Sequence, residues 1–249
     1  MLPVLQIGPL SLQTQGLILL IGLWLGWMWI EKNKHATLNP SLLSNILFLF
    51  ILVSIISARL IFVIQNLSTF IDSPLAAFAL SATMLDPLGG AVFGSIAVLI
   101  YIQRKKMDLL SVLDGLTPFF LVMQVCVGFS NLASGEAYGM PTRMPWGIEL
   151  WGAFRHPSQV YEIIASTIIL LLVWFNRTGS EVSGMVFFRF LALSSAARLF
   201  LEAYRGDSSM LTPYLRLPQL VAWLLLALSL WQIGKLIKKQ NRGMDDSQG

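Results

Sequence analysis

Long apolar runs that are nearly free of charge constrain this chain more than any other feature of its sequence. The chain has 249 residues, of which 55% are hydrophobic and only 12% are charged. A soluble domain needs a polar surface, whereas a membrane helix needs about 20 consecutive apolar residues, so this composition is typical of polytopic helical membrane proteins. The ten-residue alternations of a transmembrane β-barrel are not visible. We therefore expect an all-α polytopic membrane protein.

Hydropathy predicts seven transmembrane helices, with boundaries good to a few residues. The predicted helices are 14–31, 41–66, 86–103, 109–132, 157–175, 184–202 and 217–237. The stretch 75–84 is apolar but too short to cross, which favours a re-entrant or interfacial piece. We expect a single seven-helix domain over residues 1–239, followed by a polar cytoplasmic tail, 240–249.

Basic residues decide the predicted orientation, because Lys and Arg accumulate on the cytoplasmic side of a membrane. Four basic groups follow the first, third, fifth and seventh predicted helices: Lys32 and Lys34; Arg104, Lys105 and Lys106; Arg177; and Lys235, Lys238, Lys239 and Arg242. All four fall on the same side, so the N-terminus is predicted outside and the C-terminus cytoplasmic. The outer loops are then 67–85, 133–156 and 203–216. The net charge of +4 collects at one face, and no nucleic-acid partner is expected.

Few residues in the chain suit metal or disulfide chemistry. The single cysteine, Cys126, lies within an apolar segment, and the two histidines lie far apart in sequence. Neither a disulfide framework nor a zinc site is therefore expected. We expect no metal and no cofactor.

The block from Arg155 to Glu162 is a dense polar cluster at the mouth of the fifth predicted helix. Pro157 fits the first turn of a helix, where its missing N–H costs nothing. The free N–H groups and positive dipole end of a helix start suit an anion, and a phosphate is the obvious candidate. A capped helix start with interfacial polar residues explains the block equally well, and the residues alone leave both interpretations open.

Charged residues at the end of the sixth predicted helix and just beyond it form a second polar face. Arg198, Glu202 and Arg205 are spaced i, i+4 and i+7, so they share one side of a helix. A charge in a span costs roughly 2.5–3.5 kcal/mol on insertion scales, so such groups usually face a cavity or a partner. In a purely structural alternative, Arg198 and Glu202 neutralise each other and Arg205 reaches out to the headgroups.

Other polar groups in the predicted helices differ in what they indicate. Arg59 has no partner close in sequence and is hard to explain as structural. Asp114 and Arg189 lie near the cytoplasmic face and are interpreted as interfacial groups. The run 128–139 is rich in small residues, which permit close helix contact or a break that exposes backbone N–H groups; Gly89-Gly90 gives similar freedom.

Taken together, these segments resemble the prolipoprotein diacylglyceryl transferase family of the bacterial inner membrane. The matching residues are Ala58-Arg59-Leu60, Gly89-Gly90, Asp114 with Pro118, Asn131, Gly135-Glu136-x-Tyr138-Gly139, Pro141-Thr142, Pro145-Trp146-Gly147, Arg155 to Glu162, and Arg198-x-x-x-Glu202-x-x-Arg205. The resemblance implies transfer of a diacylglyceryl group from phosphatidylglycerol to the cysteine thiol of a lipoprotein precursor. It also implies a multi-pass protein of the bacterial cytoplasmic (inner) membrane. Its partners would be phosphatidylglycerol or another anionic phospholipid, and lipoprotein precursor signal peptides.

The same resemblance assigns roles to residues of this chain. The nucleophile belongs to the substrate, so Cys126 is not needed. Arginine forks suit a phosphate, and a histidine or carboxylate suits the proton step. Our candidate catalytic residues are Arg198, Glu202 and His156. The candidates for binding lipid or phosphate are Arg59, Asn131, Glu136, Arg155, Ser158, Gln159 and Arg205.

The chain departs from the family's pattern at five positions. Leu88 stands where a histidine is expected before Gly-Gly, and Gly128 where an arginine is expected. Ser134 stands for an asparagine, and Gln15 and Ser194 for tyrosines. The first two positions usually carry the base and phosphate-binding roles, so the chain lacks the family's usual residues for both tasks.

Three functions compete on this sequence. The first is phosphatidylglycerol-dependent diacylglyceryl transfer or a closely related lipid transfer. The second is a catalytically impaired paralogue that binds anionic phospholipid or assists lipoprotein processing, which the losses at Leu88 and Gly128 favour. The third is a transporter. The sequence argues against it, because no inverted repeat is visible and the charges cluster at the outer side, whereas coupled transporters bind at the midplane.

Overall fold

Helices dominate the computed structural model, which describes residues 4–7, 10–32, 38–72, 84–176, 182–212 and 215–245. Eight α-helices occur in these ranges: α1 Thr14–Lys32, α2 Pro40–Gln65, α3 Leu67–Asp72, α4 Pro87–Arg104, α5 Leu109–Ser134, α6 Ser158–Phe175, α7 Met185–Leu201 and α8 Leu217–Asp245. Among them, all except α3 and α7 are long and apolar enough to cross a membrane. The prediction of an all-α polytopic membrane protein is confirmed.

Each predicted transmembrane segment coincides with a helix, but α7 is the shortest of these. Its 17 residues give a length of about 26 Å, slightly less than the ~30 Å hydrocarbon core. Seven spans, their orientation and the single-domain boundaries therefore stay predictions. Helix α8 continues to Asp245, beyond the predicted end at 237 and into the predicted tail. Apart from Met84, the predicted re-entrant piece 75–84 lies outside the described residues.

Three short antiparallel hairpins accompany the helices, and the hydropathy analysis predicted none of them. The pairs are β1 Val4–Ile7 with β2 Leu10–Gln13, β3 Ile148–Leu150 with β4 Ala153–Arg155, and β5 Met210–Thr212 with β6 Leu215–Arg216. The two-residue turn of the second hairpin consists of Trp151 and Gly152, with φ of 54° and 72°. Positive φ at both turn positions gives the backbone twist that a tight hairpin needs.

The chain forms two compact units, residues 36–112 and residues 1–35 with 113–249. In the first unit, α2 and α4 pack through small residues. A Cβ on Gly90 would lie 2.7 Å from the backbone oxygen of Ser54 and 2.8 Å from Cβ of Ala58. Only a residue without a side chain allows this approach, and it is one of the two possibilities that the Gly89-Gly90 pair left open, close helix contact.

In the second unit, two glycines of α1 bring that helix close to α5. A Cβ on Gly22 would lie 2.7 Å from Cβ of Cys126, and a Cβ on Gly26 would lie 2.7 Å from Cδ2 of Phe119. The spacing of four residues puts both glycines on one face of α1. Cys126 is therefore a packing residue of the contact between α1 and α5.

Asp114 of α5 stabilises the start of α7 across 70 residues of sequence. Its Oδ2 accepts a hydrogen bond from the Gly184 N–H at 2.6 Å, and its Oδ1 accepts one from the Phe187 N–H at 2.8 Å. The first N–H groups of a helix lack partners within the helix, and a carboxylate also complements the positive dipole end. Asp114, interpreted from the sequence as an interfacial group, is thus a tertiary cap for α7.

Replacing Asp114 with alanine is expected to lower the free energy of unfolding by about 1–2 kcal/mol, since the loss of a cap costs this much. Thermal unfolding in detergent micelles measures the effect. Asp114→Asn keeps one acceptor oxygen and is expected to fall between alanine and the native protein. Equal stability of all three proteins would contradict the capping role.

Candidate functional site

The polar segment between α5 and α6 is held in place by backbone hydrogen bonds on both sides. Residues 138–142 run between strand β4 and residues 204–206. The Met140 N–H donates to the Tyr204 oxygen at 2.8 Å, and the His156 N–H donates to the Met140 oxygen at 3.0 Å. This ladder fixes the position of His156 relative to the end of α7.

Buried side chains at the start of α6 fasten the same segment. The Ser158 hydroxyl donates to the Ala137 backbone oxygen at 2.5 Å, and the Gln159 side-chain amide donates to the Glu136 backbone oxygen at 2.8 Å. Both side chains are almost completely buried. Their contacts position the loop; their predicted contact with lipid stays a prediction.

Arg155 also donates its hydrogen bonds to backbone oxygens of this segment. Its Nε donates to the Leu150 oxygen at 3.1 Å and its Nη1 to the Gly139 oxygen at 3.3 Å. The guanidinium lies 4.9 Å from the centroid of the Tyr138 ring, within the range of a cation–π contact. Arg155 therefore ties the β3–β4 hairpin to residues 138–139, and its role in phosphate binding stays a prediction.

His156 belongs to an aromatic cluster. Its Nδ1 lies 3.3 Å from the Tyr161 hydroxyl, which accepts a hydrogen bond from the Trp146 indole N–H at 2.8 Å. The rings of His156 and Tyr204 meet edge to face, with centroids 5.3 Å apart. For His156 to act as a base through Nε2, its Nδ1 must carry the ring proton, and Nδ1–H then donates a hydrogen bond to the Tyr161 hydroxyl oxygen.

The strongest charges of the site form an ion-pair network around Glu162. Its Oε1 lies 3.1 Å from Nη1 of Arg198 and 2.9 Å from Nη1 of Arg205. The i, i+4 pair of the structural alternative also forms, with Arg198 Nε 2.9 Å from Glu202 Oε2. That contact is an ion pair with poor hydrogen-bond alignment, because Oε2 receives no hydrogen bond of acceptable geometry. Glu162 therefore links α6 to both arginines.

Arg205 and Arg198 differ in their exposure and in how many of their N–H donors are already used in hydrogen bonds. Arg205 also binds both oxygens of Asp207, and its side chain is only 13% exposed. Burial alone lowers the pKa of Arg205, but the Asp207 hydrogen bond and the charges of Glu162 and Asp207 outweigh it, so the pKa lies above its usual value. Arg198 is 39% exposed, and its Nη2 makes no hydrogen bond to any described residue.

Glu202 is completely buried at the end of α7. The Ser208 hydroxyl donates to its Oε1, and Arg216 donates to its backbone oxygen. Arg216 Nη1 also donates to the Arg205 oxygen at 2.7 Å. Glu202 thus lies inside the fold behind Arg198, which suits support of that arginine; its predicted catalytic role stays a prediction.

Two predicted lipid contacts lie at the end of α5. Glu136 is exposed, and its Oε2 accepts a hydrogen bond from Gln15 at 3.1 Å. The Asn131 backbone oxygen accepts from the Gly135 N–H at 2.9 Å, closing the helix. The Asn131 side chain makes no hydrogen bond to the part of the chain that is described, and its predicted contact with lipid stays a prediction.

Arg59 belongs to the other compact unit, where it holds the chain before α4. Its Nη1 donates to the Met84 oxygen at 2.9 Å, and its guanidinium lies 5.8 Å from the Phe70 ring centroid. Asp86 caps α4 through the Gly89 N–H at 2.6 Å. These contacts give Arg59 a structural role; lipid binding stays a prediction.

One small pocket lies where α5, α6 and α7 meet, and two residues that depart from the family's pattern line it, Gly128 and Ser194. The pocket has a volume of about 120 Å³, and its walls include Gly128, Ser194, Glu162 and Arg198. Leu88, at the expected histidine, is 77% exposed on α4. Two of the five departures, Gly128 and Ser194, therefore lie in the same pocket as Arg198.

Several residues of the site were missed as candidates in the sequence: Glu162, Tyr161, Tyr204, Asp207, Ser208, Arg216 and Gln124. Glu162 could have been found, because it is a charge at the mouth of an apolar run within the polar block. The others contact the site through tertiary packing, which no spacing in the sequence reveals.

Fold and site together define a polytopic helical membrane protein with a charged cluster beside a pocket between three helices. The family model described as prolipoprotein diacylglyceryl transferase matches residues 3–234. The match covers most of the chain, which therefore belongs to this family.

Similar proteins carry the name phosphatidylglycerol–prolipoprotein diacylglyceryl transferase. One from Clostridium botulinum (strain Langeland) is 28% identical over 250 residues, covering 95% of this chain and 97% of the relative. One from Clostridioides difficile (strain 630) is 29% identical over 214 residues, covering 86% of each. One from Nostoc sp. (strain PCC 7120) is 28% identical over 249 residues, covering 92% of this chain and 87% of the relative.

Proposed function

We propose that this protein transfers a diacylglyceryl group from phosphatidylglycerol to the cysteine thiol of prolipoproteins, or performs a closely related lipid transfer. The names of the relatives support the substrate and the acceptor. The proposal includes a location in the bacterial cytoplasmic membrane with seven spans. The N-terminus is outside and the C-terminus is cytoplasmic, as the basic residues favour.

Arg198 carries the proposal, because it is the more exposed arginine of the network, at 39% against 13% for Arg205. It lines the pocket, and its Nη2 has no hydrogen bond to a described residue. A guanidinium fork binds phosphate oxygens in pairs. In the reaction, a C–S bond forms between the thiol and the glyceryl carbon, and the C–O bond to the phosphate breaks. Arg198 would stabilise the charge that develops on the departing glycerol phosphate.

The thiol proton needs an acceptor. His156 is our candidate, because the backbone ladder holds it next to residues 204–206 at the end of α7. With Nδ1–H donating a hydrogen bond to Tyr161, the lone pair on Nε2 can accept a proton. Glu202 is buried behind Arg198, and its contacts with Arg198 and Ser208 favour a supporting role. Asn131 and Glu136 remain the proposed polar contacts at the end of α5.

A catalytically impaired paralogue that binds anionic phospholipid or assists lipoprotein processing is the second candidate. One observation favours it: Glu162, Glu202 and Asp207 already neutralise the two arginines of the network. A phosphate must therefore share Arg198 with Glu162. In addition, Leu88 offers no base at the position where the family resemblance expects histidine.

Transfer activity separates these candidates. Membranes that contain the protein but no other transferase are incubated with labelled phosphatidylglycerol and a lipobox peptide, and thioether-linked peptide is measured. We expect labelling by the native protein and a loss of about 10²–10³-fold in Arg198→Ala, the effect of removing one charge-stabilising donor. Arg143→Ala is the matched control, since Arg143 is exposed and no contact of its side chain is observed in the described ranges.

The other possible results of the transfer assay lead to different conclusions about the function. Full transfer by Arg198→Ala would remove Arg198 from the reaction. Binding of phosphatidylglycerol by the native protein without transfer would replace the enzyme by the impaired paralogue. The absence of both binding and transfer would overturn both candidates.

A further inference from the structure

The pocket between α5, α6 and α7 has a polar inner end, one helical turn deeper than the Arg198 network. Ser194 precedes Arg198 by four residues on α7, and Gln124 precedes Gly128 by four residues on α5. A rise of 1.5 Å per residue puts this inner end about 6 Å along the helices from Arg198. Both side chains lie toward the middle of their helices, where an unneeded polar group is costly.

Small residues create the space between these two levels. Gly128, Ala165 and Ala197 line the pocket with little or no side chain. A Cβ on Gly128 would lie 2.8 Å from Cγ1 of Ile163, so α5 and α6 are in close contact there. A long side chain at position 128 would have to separate the helices or fill the pocket; the glycine leaves it open.

The hydrogen bond between Ser194 and Gln124 orients the inner end. The Ser194 hydroxyl donates to Gln124 Oε1 at 2.9 Å. The hydroxyl proton is therefore used, and the two N–H groups on Nε2 of Gln124 have no hydrogen-bond partner among the described residues. The inner end thus offers donors, which suit a carbonyl oxygen. It carries no charge of its own, so it does not suit a second anion.

A diacyl phospholipid presents matching groups in this order. Its phosphate lies at the headgroup level, and its ester carbonyls lie next to it toward the apolar chains. A lipid whose phosphate reaches Arg198 would place an ester carbonyl near Gln124. The direction also agrees, since Gln124 lies nearer the centre of α5 than Gly128 does.

We propose that Gln124, oriented by Ser194, is a subsite for an ester carbonyl of the diacylglyceryl group and makes the protein prefer diester to diether phospholipids. Gln124 is the binding residue, and Ser194 is a positioning residue that acts through it. The inference rests on the proposed function, because it assumes that the lipid phosphate lies at Arg198.

Lipid binding to the full chain in nanodiscs tests the subsite, with diester and diether phosphatidylglycerol of equal chain length as probes. One hydrogen bond predicts that the native protein binds the diester about 2–10-fold more tightly than the diether. Gln124→Met is expected to bring this ratio to one while the affinity for the diether stays unchanged. Ser194→Ala is expected to lower the ratio as well, because the amide loses its fixed orientation.

Controls separate this subsite from packing effects. Thr167→Val removes a hydroxyl from α6 that is exposed and bonded to Ile163 of its own helix, so the ratio should not change. A purely structural role of Ser194 would lower the unfolding temperature of Ser194→Ala and leave the ratio intact. If Gln124→Met does not fold, Ser194→Ala and Ser194→Thr decide the matter, since threonine retains the hydroxyl and should retain the ratio.

The test also distinguishes failure of the subsite from failure of the proposed function. Binding that depends on Arg198 but shows equal affinity for the two lipids would overturn the subsite alone. An ester preference that persists in Gln124→Met would do the same. Binding of neither lipid, or binding unaffected by Arg198→Ala, would overturn the phosphate assignment and the inference with it.

Discussion

Replacing Glu162 with alanine is expected to destabilise the protein by about 3 kcal/mol, because two arginines lose the carboxylate that they share. Glu162 and Arg205 have side chains only 14% and 13% exposed, so their charges are largely removed from water. Arg198 retains Glu202 and Arg205 retains Asp207, which keeps the loss at the lower end for a broken buried pair. For a chain of this length, the unfolding temperature should fall by roughly 6–12 °C.

Thermal unfolding of a matched set checks this expectation. Glu162→Gln keeps an acceptor oxygen but not the charge, so we expect a loss between those of alanine and the native protein. Glu149→Gln is the control, because Glu149 is exposed on β3. Adding Arg198→Ala to Glu162→Ala should cost less than the sum of the single changes. Additive losses, or a Glu162→Ala protein as stable as Glu149→Gln, would contradict a shared carboxylate.

The positions of the helices could be predicted from the sequence because a lipid-facing helix must be apolar along its whole length. The runs that became α2 and α6 contain almost no charge. In a membrane only a helix or a closed β-barrel satisfies all backbone groups, and these runs lack the alternation of a barrel. The β3–β4 hairpin could not be predicted in this way. Its strands have three residues each, which is too short for a pattern, and they are held by neighbouring segments.

Contacts within one helix could be predicted in the site, whereas contacts between helices could not. The spacing of Arg198 and Glu202 placed them on one face, with their ion pair as the structural alternative, and that ion pair is observed. Glu162 joins the same network from a helix 36 residues earlier, and Asp114 caps a helix 70 residues later. Such contacts depend on how helices pack, and the residue types alone do not specify it.

Gly139→Ala is expected to destabilise the protein by about 3 kcal/mol, at the upper end of the usual cost of overpacking. The added Cβ would collide with the backbone oxygen of His156 and lie 2.7 Å from its Cβ. The His156 backbone cannot give way easily, because its N–H donates to Met140. The change should therefore also open the ladder between β4 and residues 204–206.

Two measurements separate this local effect from a general loss of stability. Hydrogen–deuterium exchange should accelerate at the amides of Met140 and His156, and lipid transfer should fall as His156 and Arg205 lose their common support. Gly16→Ala is the matched control, because a Cβ there meets no atom of the described residues within 4 Å. Alanine is also the better helix former, so the control should be neutral or more stable by up to about 1 kcal/mol. Native stability and native exchange in Gly139→Ala would show that the segment can shift without cost, and that the ladder does not fix the site.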